Sequence, residues 1–273
     1  MIRRFTLLFL SALLACCAGV FPALAQDMPE WDYPLAPEIL GNYQGYITLA
    51  NRQNLLDEDY EPADLVNTSC KKSYDAGTPM LRKEASEAIS AMFDAAQADG
   101  LTLYLKSAYR SYRTQKTMYS NRLEKNHGRD DGLVSYPGAS DHQTGLGADI
   151  LNYEWTKKDG MNKEFANTRE AQWMEAHCQE FGFILRYMVD KEESTGIKFE
   201  PWHFRYVGRE AAAYIMEQHL SLEEFTAEWQ SYVASWEAEG GNFEELLLQR
   251  AQVNPVRILD VTEDGEEELS IFY

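Results

Sequence analysis

Cysteine is scarce in this chain: four in 273 residues, of which Cys16 and Cys17 fall in the first 25 positions. That excludes a small scaffold stapled by many disulfides. The remaining two, Cys70 and Cys178, leave either one bridge in an exported protein or two buried thiols. Positive charge is also in short supply. Twenty-five Lys and Arg face 44 Asp and Glu, a formal net charge of −19. Nucleic acid, whose phosphates such a surface repels, is excluded as a partner. No long basic stretch offers a seat for anionic lipid, and no internal repeat suggests a solenoid. The long apolar run, Thr6 to Phe21, is too short and wrongly flanked for a membrane-spanning helix.

What is present describes a packed, exported body. Hydrophobic residues make up 45% of the chain and 16 tyrosines are spread along it, enough for a sizeable core. Arg3 and Arg4 form a basic n-region, the apolar run follows, and Pro22-Ala-Leu-Ala25 offers a cleavage site before Gln26. Residues 1–25 are therefore expected to be a signal peptide, with a retained anchor as the weaker alternative. Cleavage removes two arginines and takes the charge to −21. No stable membrane span is expected afterwards. The mature chain is expected to be a monomer outside the cytoplasm: secreted, wall-associated or periplasmic.

Periodicity divides the remainder. Residues 26–77 read as a wrapping segment, with a weak strand at Gly45–Ala50 and a polar loop over Asn51–Tyr74. Thr78-Pro79 looks like the start of a helix, Thr78 as N-cap, that Gly100 ends. Leu101–Ser107 alternates as a strand does, and Ser111 is placed to cap a helix running to about Asn126. Residues 128–147 carry five glycines and a proline, a long irregular segment of the kind usually kept for function. Short strands are expected at Ala148–Leu151, Phe183–Tyr187 and Trp202–Tyr206. Helices are expected from the capping box Asn167-Thr-Arg-Glu170 to near Gly182, and at Gly208–His219. Ser221-Leu-Glu-Glu224 is a second capping box, opening an extension, 220–273, that ends in a hairpin around Asp264-Gly265.

Ser140-Asp-His142-Gln-Thr-Gly-Leu-Gly-Ala-Asp149, followed by Glu200-Pro-Trp-His203, carries the chemistry. Two histidines and an aspartate supply three ligands and leave a position open for water. A glutamate beside the last of them is placed to take the water's proton. Gly145 and Gly147 argue for a loop feeding a strand rather than a helix. Lone histidines are more often structural, and His127 and His219 fit that description, while His177, on an amphipathic helix, is expected at the surface or behind the ligands. His142 and His203 each come with a carboxylate. On spacing alone a metal centre and a structural role both stay open.

The motifs also carry a resemblance. Ser107-Ala-Tyr-Arg-Ser-Tyr-Arg-Thr-Gln115, the Ser140–Asp149 segment and Phe181-Gly-Phe-Ile-Leu-Arg186 … Glu200-Pro-Trp-His-Phe-Arg-Tyr-Val-Gly208 resemble the VanY-type D-alanyl-D-alanine carboxypeptidases, in the family's order, across residues 78–218. The resemblance implies an α+β fold, a small antiparallel sheet flanked by helices, shared with hedgehog domains. It implies Zn2+ held by His142, Asp149 and His203, with Glu200 as general base. Arg110 would stabilise the developing oxyanion or hold a carboxylate. Ser140 and Gln115 would bind the substrate's free C-terminus. Ala108, Asp141 and Gly147 stand where the family usually has Gly, Glu and Ala.

The expectation is then a signal peptide (1–25), a wrapping segment (26–77), a catalytic domain (78–219) and a helical-plus-hairpin extension (220–273). The function is an exported zinc carboxypeptidase that removes terminal D-alanine from peptidoglycan stem peptides. An L,D-carboxypeptidase acting on tetrapeptide stems is one alternative. A non-catalytic zinc module that binds wall peptide or protein is the other, and it is disfavoured because Glu200 is present. Arg186 and Arg205 are expected to be structural partners of carboxylates, and Trp202 and Tyr206 core or cleft wall.

Overall fold

The structure, a computed structural model, describes residues 28–253 and the paired strands 257–261 and 267–271. The expected signal segment lies outside the described residues. After a short helix, α1 (Pro37–Leu40), strands β1 (Leu65–Asn67) and β2 (Met80–Arg82) pair antiparallel. Helix α2 (Lys83–Ala98) leads to β3 (Leu103–Ser107) and α3 (Tyr112–Lys125). Strand β4 (Gly147–Asn152) is followed by α4 (Tyr153–Thr156), α5 (Arg169–His177), β5 (Phe183–Leu185) and α6 (Glu192–Thr195). Strand β6 (His203–Tyr206) leads to α7 (Arg209–Glu217). Helices α8 (Leu222–Ala238) and α9 (Phe243–Val253) precede an antiparallel hairpin of β7 (Arg257–Val261) and β8 (Glu267–Ile271).

The sheet that matters is antiparallel and four-stranded, in the order β3-β4-β6-β5. This is the expected α+β architecture. Ala85, Ile89, Met92, Phe93 and Ala96 recur at helical spacing on α2 and close over the sheet with Leu103, Leu105, Ile150 and Phe204. A second cluster joins the segment before β1 to the elements after β6. Tyr33, Leu35, Leu40 and Ile47 from the wrapping segment meet Val207, Ala211 and Ile215, and Leu222 and Phe225 of α8 seal the group. Leu222 and Phe225 are fully buried, each contributing about 1.5–3 kcal/mol of transfer free energy. Helix α8 is thus part of the folded body.

Three local expectations are corrected. The helix expected to be capped by Thr78 starts at Lys83, because Met80–Arg82 pairs with β1 and Thr68 N–H donates to the Pro79 carbonyl. Gly45–Ala50 is not a strand. Its Tyr46 and Thr48 carbonyls accept hydrogen bonds from the Arg205 guanidinium (3.0 and 2.8 Å) instead of from a neighbouring strand. Thr168, not Asn167, caps α5, and Glu170 accepts from the Asn152 amide rather than folding back on the helix. The Ser221–Glu224 capping box forms as expected, and so does the cap by Ser111.

Cys70 and Cys178 are free thiols. Burial pushes the Cys178 thiol up to about 12, leaving it inert as a nucleophile. No helix among the described residues is long and apolar enough to cross a membrane.

Gly145 illustrates how the backbone serves the site. It ends a tight turn at φ +68°, and a Cβ there would lie 2.8 Å from Leu65 Cδ2. We expect Gly145→Ala to lower stability by about 1–3 kcal/mol, read as a fall in denaturation midpoint.

Candidate active site

Strand β4 is the spine of the site. Asp149 pairs across the sheet with His203 on β6 and with Ser107 on β3, so three chemically useful residues share one level of the sheet. His142 lies in the 3-10 turn Asp141–Thr144, which runs directly into β4. That turn must come very close to the strand. A Cβ at Gly147 would stand 3.0 Å from the Asp141 carbonyl carbon. Glu200 sits in the turn that opens β6, its carbonyl accepting from His203 N–H at 3.1 Å.

The ligand atoms of His142, Asp149 and His203 lie within 4.8 Å of one another, and all three residues are buried. His142 Nδ1 lies 2.7 Å from the Ala108 carbonyl, which fixes the proton on that nitrogen and turns the Nε2 lone pair inward. Nε2 is 3.3 Å from Asp149 Oδ2, close to the roughly 3.4 Å expected between two ligands about 2.1 Å from a tetrahedral zinc. His203 Nδ1 is 3.0 Å from Asp149 Oδ1 and 3.7 Å from Glu200 Oε2. Its Nε2 is buried without a hydrogen-bond partner, facing Asp141 Oδ2 at 3.8 Å. A proton on Nε2, facing that negative charge, would leave the Nδ1 lone pair free for a metal. The donor set therefore fits a divalent cation: two imidazoles with inward lone pairs and one carboxylate.

The electrostatics are consistent with that fit. Burial, helped by the Arg110 charge, lowers the proton affinity of His142 and keeps the ring neutral, as a ligand must be. Glu200 is different. Burial and the negative charge of Asp149 push its carboxyl well above the ordinary value, against the pull of Arg110. A raised proton affinity suits a group that must accept a proton and return it.

Arg110 is held by two hydrogen bonds, to Gln115 Oε1 at 2.8 Å and Ser107 Oγ at 3.1 Å, with Asp149 Oδ2 at 3.9 Å. Gln115 is buried, and its amide also donates to the Ser135 carbonyl at 2.6 Å. Both polar ends of Gln115 are thereby occupied by protein. Ser140 is buried at the entrance to the 3-10 turn and makes no capping hydrogen bond. Trp202 and Tyr206 are buried.

Asp141, noted in the sequence only as a departure from the family pattern, has a structural role that sequence reasoning did not assign. It is 1% exposed and paired with Arg186 Nε at 2.7 Å and with Arg205 Nη1, while Tyr187 Oη lies 3.4 Å away. These are the carboxylate partners that Arg186 and Arg205 were expected to need. Its adjacency to His142 was the available signal.

Comparison with known proteins now bears on the site. The family model described as VanY, D-alanyl-D-alanine carboxypeptidase, matches residues 78–209. A D-alanyl-D-alanine carboxypeptidase of Enterococcus faecalis is 33% identical over 217 residues, 76% of this chain and 75% of that protein. The chain belongs to the VanY family of D-alanyl-D-alanine carboxypeptidases. Two solved structures extend the likeness. The LdcB LD-carboxypeptidase has 39% identity and a TM-score of 0.61, covering 69% of this chain and 86% of that one. A mutant of the vancomycin-resistance D,D-pentapeptidase VanY in complex with Zn(II) has 33% identity and a TM-score of 0.54, covering 66% of this chain and 98% of that one. This VanY-family chain is a zinc metallocarboxypeptidase.

Proposed function

We propose that the protein acts outside the cytoplasm, removing the terminal D-alanine from peptidoglycan stem peptides with zinc held by His142, Asp149 and His203. The observation that carries this reading is the convergence of those three buried ligand atoms beside the buried carboxylate of Glu200, 3.7 Å from His203 Nδ1. The basic n-region, apolar run and Ala-x-Ala sequence of residues 1–25 support export. When bound, zinc lowers the pKa of water and polarises the scissile carbonyl.

The protein's own residues do the remainder. Glu200, its proton affinity raised by burial, takes the proton from the attacking water and passes it to the departing D-alanine amine. Arg110 supplies fixed positive charge to the carbonyl oxygen as it becomes an oxyanion. Gln115 and Ser107 hold that guanidinium, so Gln115 supports substrate binding through Arg110. The Ser140 hydroxyl, not spent on capping, donates to the substrate carboxylate. Arg110→Lys keeps the charge and loses the fork that Gln115 and Ser107 grip. We expect kcat to fall by about tenfold or more, with the fold intact, in a D-alanine release assay.

A second reading rests on one observation: the LdcB neighbour is an LD-carboxypeptidase. Incubation of the zinc-loaded protein with pentapeptide and tetrapeptide stems, read by mass spectrometry, separates the two. The D,D reading expects loss of one D-alanine from the pentapeptide and arrest at the tetrapeptide. Trimming of the tetrapeptide to tripeptide would favour the L,D reading, and no release from either would refute both.

A further inference from the structure

The Asp141 cluster reaches further than the active site. Arg186, which grips Asp141 through Nε, turns its other two nitrogens to Glu223 on α8: Nη1 to Oε2 and Nη2 to Oε1, each at 2.7 Å. Asn51 from the wrapping segment donates to the same Glu223 carboxylate at 3.3 Å. Arg186, Arg205 and Asp141 have almost no exposed surface, and the Glu223 side chain is 12% exposed. Two guanidinium groups and two carboxylates therefore form a neutral, buried set directly behind His203. Glu223 lies beyond the stretch that the family model matches, 78–209.

We infer that Glu223 is a positioning residue for the zinc site, acting through Arg186 and Asp141 on His203. The physical argument has two parts. Glu223 and Asp141 share one guanidinium, so a bidentate Glu223 fixes the plane of Arg186 and with it the Asp141 oxygen that faces His203 Nε2. Without the Glu223 charge, two arginines would face one aspartate, and the excess positive charge would sit behind a histidine that must bind a dication. Both effects weaken zinc binding. The C-terminal extension thus completes the metal site from outside the sheet that carries it.

The inference rests on the reading of His142, Asp149 and His203 as ligands, and the experiment keeps the two apart. Zinc affinity is measured by chelator competition on the full-length mature chain, alongside kcat and KM for D-alanine release. If the wild type binds no zinc, the ligand reading itself fails. Given a zinc-binding wild type, Glu223→Gln should raise the zinc dissociation constant by about tenfold or more and lower kcat, with KM within about twofold. Glu224→Gln is the control. It keeps the hydrogen bonds of the capping box but removes the charge paired with Lys191 on the same helix turn, and it should lower the melting temperature slightly without changing zinc affinity. Glu223→Asp keeps the charge on a shorter arm and should fall between the wild type and Glu223→Gln. A folded Glu223→Gln with wild-type zinc affinity and kcat would overturn the inference. So would a Glu224→Gln variant with the same zinc defect. Should Glu223→Gln fail to fold, wild-type zinc affinity in Glu223→Asp would assign Glu223 to folding alone and overturn it as well.

Discussion

Glu200→Gln will abolish D-alanine release while zinc stays bound. The substitution keeps the shape of the side chain and removes its capacity to take a proton. General base catalysis is worth about 10²–10⁴-fold in rate, and turnover should fall by that much with the metal content unchanged. The same variant has a second, less obvious consequence. Glu200 is buried next to Asp149, so its folded-state proton affinity lies above that of the unfolded chain. A group shifted in this direction destabilises the fold when ionised. The penalty is absent below the unfolded pKa of about 4.3 and grows as pH rises to the folded value. Zinc-free Glu200→Gln should therefore melt at a higher temperature than the zinc-free wild type at pH 8, and the two should converge near pH 4. Turnover in the variant close to that of the wild type would remove Glu200 from the mechanism.

Asp141→Asn will cost the most stability of any single polar substitution near the site. The wild-type carboxylate is enclosed by Arg186 and Arg205, and the amide would leave two buried guanidinium groups with too little compensating charge. Breaking a buried pair from one side costs on the order of 3–5 kcal/mol. In a domain of this size that corresponds to roughly 10 °C or more in melting temperature. The pH dependence has a definite sign. Burial raises the Asp141 carboxyl, but Arg186 and Arg205 outweigh it and hold the carboxyl far below the ordinary range. A depressed pKa contributes stability above the unfolded value of about 3.9 that is lost as pH falls toward the folded one. The gap between wild type and Asp141→Asn should be full at neutral pH and shrink progressively below about pH 4. A gap that does not narrow in acid would contradict the assignment of charge to this carboxylate.

Much of this was legible in the chain because the evidence was local. The His142–Asp149 stretch puts its glycines where a turn must press against a strand, and the Ser221–Glu224 box is contained in four residues. Expectations failed where a distant partner decided the outcome. Residues 80–82 read as the first turn of a helix until β1 claims their hydrogen bonds. The 45–50 segment alternates like a strand, yet its carbonyls satisfy Arg205, about 160 residues away in sequence. Gln115 reads as a polar residue on a helix surface, and only the packing of α3 against the 128–140 loop buries it against Arg110 and Ser135. Glu223 carries no local signal. It is one acidic residue among several at a helix start, and its partner lies on the segment after β5.

The central claim, that this chain removes D-alanine with a metal held by His142, Asp149 and His203, is tested most directly by metal titration. The protein is stripped with a chelator, and zinc is returned stepwise while D-alanine release from a pentapeptide stem is followed. The account predicts no release from the stripped protein and a linear recovery that saturates at one zinc per chain. It also predicts no recovery in His203→Ala. Release that persists without zinc, or that returns in His203→Ala at the same stoichiometry, would contradict it.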